Sequence, residues 1–241
     1  MFGYFFACIT GFFLMMILHL WSVEHRKLKQ RFGEDKGIKI GKILGAVSGW
    51  MELVFLIGFW TSPQPRFTLF SNSSVLLPFV GLSIPLFHLI TAIPLMIAGA
   101  WVAIKAVKEM SGEVGFVVVD AHSVPEKVVK SGPYTIVRHP QYLGANLAHI
   151  GGSILFSASY ALLFTPIYVM CNYLISWKEE EELVKELGRE YKEYQENTPM
   201  FVPKIWKKRK VCGKDLTKFG PRMNKKGSDL TFSWRFSQPV H

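Results

Sequence analysis

Cysteine is scarce in this chain of 241 residues. Cys8, Cys171 and Cys212 share no motif, which excludes a disulfide framework and a thiolate zinc site. The first two lie in apolar stretches and read as small buried hydrophobes. No HExxH pair, calcium-binding loop or phosphate-cradling glycine loop occurs, so no metal is expected. No serine or cysteine sits in a nucleophile motif, and the closing Gln-Pro-Val-His is no prenylation signal. Charge is sparse too, at 19% of residues, and lopsided. From Lys204 onward, eleven lysines and arginines stand against Asp215 and Asp229, which is +9 of the formal +10. No nucleic-acid recognition motif accompanies that charge, so no nucleic-acid partner is expected. Beside a membrane, such a tail reads as cytoplasmic and drawn to an anionic lipid surface.

What is present is apolar. Hydrophobic residues make up 49% and aromatics 14%, the mean hydropathy is +0.21, and the apolar residues cluster in long runs. That pattern is an integral membrane protein's. Phe2 to Trp21 has the length of a span and lacks a basic leader and cleavage site, so it reads as an anchor. His25, Arg26, Lys27, Lys29 and Arg31 follow, which puts this loop in the cytoplasm and the N-terminus outside. Ile43 to Trp60 is a second span; Glu52 near its middle is costly there and is a site candidate for that reason. Thr61 to Ser74 reads as an external loop, and Asn72-Ser73-Ser74 is a glycosylation triplet. Val75 to Val107, with Pro78, Pro85 and Pro94, is taken as one kinked span. One span keeps Lys105, Lys108, Lys127, Lys130 and the tail on the cytoplasmic side.

A polar connection follows, in which Phe116 to Val119 suits a short strand or a membrane-lying segment. Leu143 to Tyr160 and Ala161 to Trp177 read as a helical hairpin bent at Ser157-Ala158-Ser159. Gly144, Ala148, Gly151 and Gly152 give its first helix a small-residue face, with Asn146, His149 and Asn172 turned inward. Lys178 to Asn197 reads as an amphipathic helix with Leu183, Leu187, Tyr191 and Tyr194 on its apolar stripe. The expected fold is therefore an all-α integral membrane protein of about five transmembrane helices. The last two form a hairpin, followed by an amphipathic cytoplasmic helix and a basic tail. The membrane would be the endoplasmic reticulum in a eukaryote and the cell membrane in a prokaryote. Oligomeric state is not legible.

Two polar stretches flank the hairpin: residues 132–142, and Glu179 to Glu182. A hairpin brings them together at one membrane surface. The site so formed would hold Tyr134, Arg138, His139, Tyr142 and Glu179 or Glu180. Arginine and histidine suit a carboxylate, glutamate an ammonium or a ribose edge, and tyrosine a ring. These residues point to a membrane enzyme with a soluble polar cofactor, with an interfacial Arg138–Glu179 ion pair as the structural alternative.

The ordered motifs go further. Glu126-Lys127-Val128-Val129-Lys130-Ser131-Gly132-Pro133-Tyr134, Arg138-His139-Pro140-Gln141-Tyr142, Glu179-Glu180-x-x-Leu183, Gly188-x-x-Tyr191-x-x-Tyr194 and then Pro203 resemble the isoprenylcysteine carboxyl methyltransferase family. The related phospholipid N-methyltransferases share the arginine-histidine-proline and paired-glutamate elements more loosely. The likeness covers about residues 126–203, a third of the chain. It implies S-adenosylmethionine as methyl donor, held by Glu126 to Val129, Tyr134, His139 to Tyr142, Glu179 and Glu180. It divides the chain into N-terminal transmembrane helices (1–110), a methyltransferase-like region with the hairpin (111–203) and a basic tail (204–241).

One departure bears on the acceptor. The isoprenylcysteine enzymes place a substrate-holding arginine four residues before the first paired glutamate, and here Ile175 stands there. Either Lys178 or Arg138 substitutes, or the acceptor is a lipid or lipid-linked amine, phenol or similar nucleophile rather than a carboxylate. Such an acceptor must lose a proton, with Glu52, His149 or a paired glutamate as base. Two other classes compete. Sterol and steroid reductases, which use NADPH, have a similar hairpin with a histidine-proline turn, but the glutamates suit a cationic donor better. A membrane scaffold with a lipid-binding tail explains the tail and leaves the motifs unexplained.

Overall fold

The computed structural model describes residues 2–68, 73–77, 82–111 and 127–203. Helix α1 (Phe2–Val23) is followed by short α2 (His25–Phe32) and long α3 (Glu34–Thr61). A hairpin of β1 (Ser74–Leu77) and β2 (Leu82–Pro85) leads into α4 (Leu86–Ser111). A 3-10 turn (Gly132–Thr135) precedes α5 (Pro140–Leu155), α6 (Ser159–Leu187) and α7 (Arg189–Asn197). The two strands pair antiparallel, Val75 opposite Ile84.

Among the described residues, four helices are long and apolar enough to cross a membrane: Gly3–Val23, Glu34–Thr61, Leu86–Met110 and Ser159–Leu187. Their outer faces carry exposed Ile17, Val54, Ile97, Trp101 and Leu163, as lipid-facing surfaces do. The protein is an all-α integral membrane protein, with one small β-hairpin among the described residues. The fifth expected helix, α5, has 16 residues. At 1.5 Å per residue it rises about 24 Å, short of the roughly 30 Å hydrocarbon core.

Three boundaries differ from the sequence expectation. Residues 75–77 and 82–84 pair as strands instead of opening the span, Pro85 closes β2, and the helix begins at Leu86. The glutamates continue the last span without a break, and the helix ends at Gly188, whose φ of +58° few other residues adopt. The expected single helix from Lys178 to Asn197 is thus divided between α6 and α7. The bend at Ser157 is as expected, with Ser157 itself at φ +53°.

A core of Cys8, Phe12, Met15, Phe59, Trp60, Phe164 and Tyr168 joins α1, α3 and α6, and Phe59 stacks on Phe164 at 4.9 Å. The small-residue face of α5 meets α4 at Gly144 and Gly151, while Gly152 lies against Trp60 of α3. A Cβ on Gly144 would stand 2.6 Å from the Gly99 carbonyl oxygen, and one on Gly99 equally close to that of Gly144. Backbones can approach so closely only where both residues are glycine. At the far end of the bundle, the Gln64 side chain accepts hydrogen bonds from the Tyr160 and Ala161 amides that open α6. Arg66 donates to the carbonyls of Trp60 and Phe156 that close α3 and α5. One short loop therefore caps three helices.

Several expectations fall outside the described residues: Glu126, the Phe116–Val119 segment, Asn72 of the glycosylation triplet, and the basic tail from Lys204.

Candidate active site

Pro133 and Pro140 bracket the site from the sequence side. Pro133 sits at the start of the 3-10 turn and Pro140 at the first position of α5, where a missing N–H costs nothing. Between them Arg138 and His139 are pinned by their backbones, Arg138 N–H donating to Pro199 O (2.9 Å) and His139 N–H to Met200 O (3.2 Å). The Tyr194 hydroxyl donates to Tyr134 O at 2.6 Å. Burial pushes that phenol up to about 12, so it remains a neutral donor.

Glu180 is the hub. Arg138 donates from Nε to Oε1 (2.6 Å) and from Nη2 to Oε2 (3.1 Å), and Gln195 Nε2 donates to Oε2 at 2.7 Å. Arg138 Nη1 reaches the carbonyls of Gln195 (2.8 Å) and Thr198 (2.5 Å). The guanidinium thus ties α6 to the end of α7, in the planar geometry that arginine suits. The ion pair expected between Arg138 and Glu179 does not form. The partner is Glu180, because consecutive helical residues point about 100° apart.

His139 is buried between both carboxylates. Nε2 lies 3.0 Å from Glu180 Oε1 and Nδ1 3.4 Å from Glu179 Oε2. Carboxylates only accept, so both ring nitrogens carry protons. Burial alone would lower this imidazole's pKa, but hydrogen bonds and charge from Glu179 and Glu180 outweigh it and raise it. The sign for stability follows. The paired imidazolium stabilises the fold fully below the unfolded pKa of about 6.5, and that stability is lost as pH rises through the raised folded value. We expect the thermal midpoint in detergent to fall between pH 6 and pH 9, with a flatter profile for His139→Gln. A wild-type profile no steeper than the variant's would refute the pairing.

Glu179 faces the other way. It accepts from the Tyr142 hydroxyl at 2.5 Å, and His19 Nε2 of α1 lies 3.1 Å from that hydroxyl. His19 Nδ1 lies 2.7 Å from Ser48 Oγ of α3. His19 and Ser48 were not singled out from the sequence, although a histidine within a span carries the same signal that found Glu52. Phe201 packs edge-on to His139 (6.1 Å) and to Tyr173 (6.5 Å), so two further aromatic rings adjoin the imidazole.

Other predicted residues lie around this centre. Val128 packs with Tyr191 and Tyr194 behind it, Lys127 is exposed and Val129 half-buried. Gln141 turns to Met110 of α4, its Nε2 3.7 Å from the sulfur. Glu52 and His149 lie deeper. Glu52 Oε1 accepts from the Tyr168 hydroxyl at 2.5 Å and the residue stays partly accessible. His149 stacks obliquely on Tyr168 at 4.6 Å, its Nε2 3.1 Å from Ala161 O, while its buried Nδ1 has no partner. Asn172 donates to Asn146 at 2.7 Å between them. On α5, Tyr142, Asn146 and His149 share one face at helical spacing, so a polar column descends from the glutamates into the bundle. No group of three or more potential metal ligands occurs among the described residues.

The phospholipid methyltransferase family model matches residues 87–190, from the start of α4 into α7. The resemblance to integral membrane methyltransferases holds. The matched segment carries Arg138, His139, Tyr142, Glu179 and Glu180, whereas α1 and α3 lie outside it. Methanethiol S-methyltransferase from Pseudomonas sp. strain GM41(2012) is 36% identical over 89 residues, covering 34% of this chain and 31% of that protein. The match thus spans about a third of that relative's length. No solved structure matches.

Proposed function

We propose that this protein is a membrane methyltransferase. It uses S-adenosylmethionine as donor and a membrane-borne acceptor whose nucleophile carries a proton. The observation that carries the donor assignment is Glu179, the more open of the paired glutamates, set by Tyr142 and His139 in the matched segment, with Phe201 against the His139 ring. Carboxylates beside aromatic rings fit a cationic sulfonium carrying an adenine ring. When bound, the donor supplies an electrophilic methyl group. The chain's own residues bind it, orient it and keep water away, which is most of what an in-line displacement needs.

The acceptor reading rests on charge. Arg138 is engaged by Glu180 and two carbonyls, and Lys178 by Glu181 at 3.0 Å and Glu24 at 3.7 Å. Ile175 is buried and apolar. Neither proposed substitute for the missing arginine is therefore open to a carboxylate. The deeper groups accept rather than donate. Ala161 O requires the His149 proton on Nε2, which leaves Nδ1 as a bare lone pair, and Glu52 offers a carboxylate. An N–H, S–H or phenolic O–H suits them. With donor and acceptor bound, Glu52 or His149 would take the proton the acceptor gives up as its bond to the methyl group forms and the sulfur–methyl bond breaks. Arg26, Lys27, Lys29 and Arg31 follow α1 at the site's end of the bundle, which supports a cytoplasmic face for donor entry and an external N-terminus. The basic tail would add attraction to anionic lipid.

Isothermal titration of the detergent-purified protein with S-adenosylhomocysteine, with NADPH as control, tests the donor class. Saturable binding of the first alone is expected. Binding of NADPH alone would replace this reading with the reductase one.

A further inference from the structure

We propose that His19 is a positioning residue of the donor site, contributed by a helix outside the matched segment. The inference rests on the donor reading above. It begins with a count of protons. The Tyr142 hydroxyl has one, and at 2.5 Å that proton goes to Glu179 Oε1. The contact between His19 Nε2 and the same oxygen must then run the other way, from an N–H on Nε2 to a tyrosine lone pair. A phenolic proton prefers the plane of its ring and has two directions to choose from. An N–H aimed at one of them leaves the other, because two protons cannot point at each other. His19 therefore fixes which way Tyr142 donates.

The imidazole is itself fixed. His19 is 5% exposed and Ser48 fully buried, and Nδ1 lies 2.7 Å from Ser48 Oγ. Ser48 Oγ also lies 2.9 Å from Gly45 O in its own helix; with the imidazole proton on Nε2, Nδ1 takes the single Ser48 proton, so serine and imidazole hold each other in one arrangement. The His19 ring meets the Tyr142 ring nearly edge-on at 6.4 Å, and Nε2 stands 4.0 Å from Glu179 Oε1. Four helices (α1, α3, α5 and α6) thus converge on one carboxylate. With Tyr142 locked, Glu179 keeps one orientation before the donor arrives, and preorganisation of that kind raises affinity without a new contact.

A glutamine places its amide N–H near the Nε2 position, whereas asparagine reaches only the Ser48 side. The test is titration of S-adenosylhomocysteine into wild type, His19→Gln, His19→Asn and His19→Leu, each also combined with Tyr142→Phe. We expect His19→Gln to bind as wild type does, and the other two to bind roughly threefold to tenfold more weakly, as for one lost hydrogen bond. In the Tyr142→Phe background none of the His19 changes should matter further, a pattern that general loosening of the fold does not produce. Equal affinities for the asparagine, leucine and wild-type proteins would overturn the role of His19 and leave the donor site standing. The same losses with and without the Tyr142 hydroxyl would also overturn it. Should the leucine variant fail to fold, the glutamine–asparagine contrast decides. No binding by wild type would sink the donor reading itself, and this inference with it.

Discussion

Glu180→Ala is expected to be the most damaging single substitution in the protein. It removes the acceptor for Arg138 Nε and Nη2, His139 Nε2 and Gln195 Nε2 at once. Two buried cations are then left facing no carboxylate but Glu179. Breaking a buried ion pair from one side costs about 3–5 kcal/mol, because the remaining charge stays desolvated. For a chain of this length that is roughly 6–20 °C in thermal midpoint. Glu181 is the control. It pairs with Lys178 at 3.0 Å at the surface, where screening makes such pairs weak, so Glu181→Ala should melt as wild type does. If the two variants melted together, the clasp between α6 and α7 would not be what holds the site.

The second large effect separates charge from shape. Glu179→Gln keeps an acceptor oxygen for Tyr142 but loses the negative charge. S-adenosylmethionine carries a sulfonium and its demethylated product does not. Binding of the donor should weaken by roughly tenfold to a hundredfold, the worth of about 1.5–3 kcal/mol for a charged contact. Binding of S-adenosylhomocysteine should change much less. Titration of both ligands into both proteins measures this. Equal weakening of the two would mean that Glu179 holds the site's shape and does not sense the donor's charge.

Much of this site was legible in the chain. The residues around Arg138-His139-Pro140 and the paired glutamates announce themselves by density and by place at span ends, and the structure joins them. The helical character was legible because apolar runs of membrane length have few other solutions. What escaped was pairing across distance. Nothing local tells which of two adjacent glutamates an arginine will meet, and Arg138 took Glu180. The small residues of α5 predicted close packing without naming the partner, which is α4 through Gly99. His19 and Ser48 escaped because each is a single polar residue in an apolar helix, and their meaning appears only when Tyr142 comes between them and Glu179. The strand pairing before Pro85 was hidden because its residues are as apolar as the span that follows.

The bridge from His19 to Glu179 also sets a timetable for assembly. The two residues are 160 positions apart, so at about 5–20 residues per second the ribosome needs roughly 8–32 s to supply the second after the first. For that interval the first helix carries an imidazole into the bilayer with neither Tyr142 nor Glu179 yet made. Ser48, only 29 residues on, arrives first. The third helix thus brings the imidazole a hydrogen-bond partner from within the N-terminal pair of spans, before the residues they will serve have been synthesised.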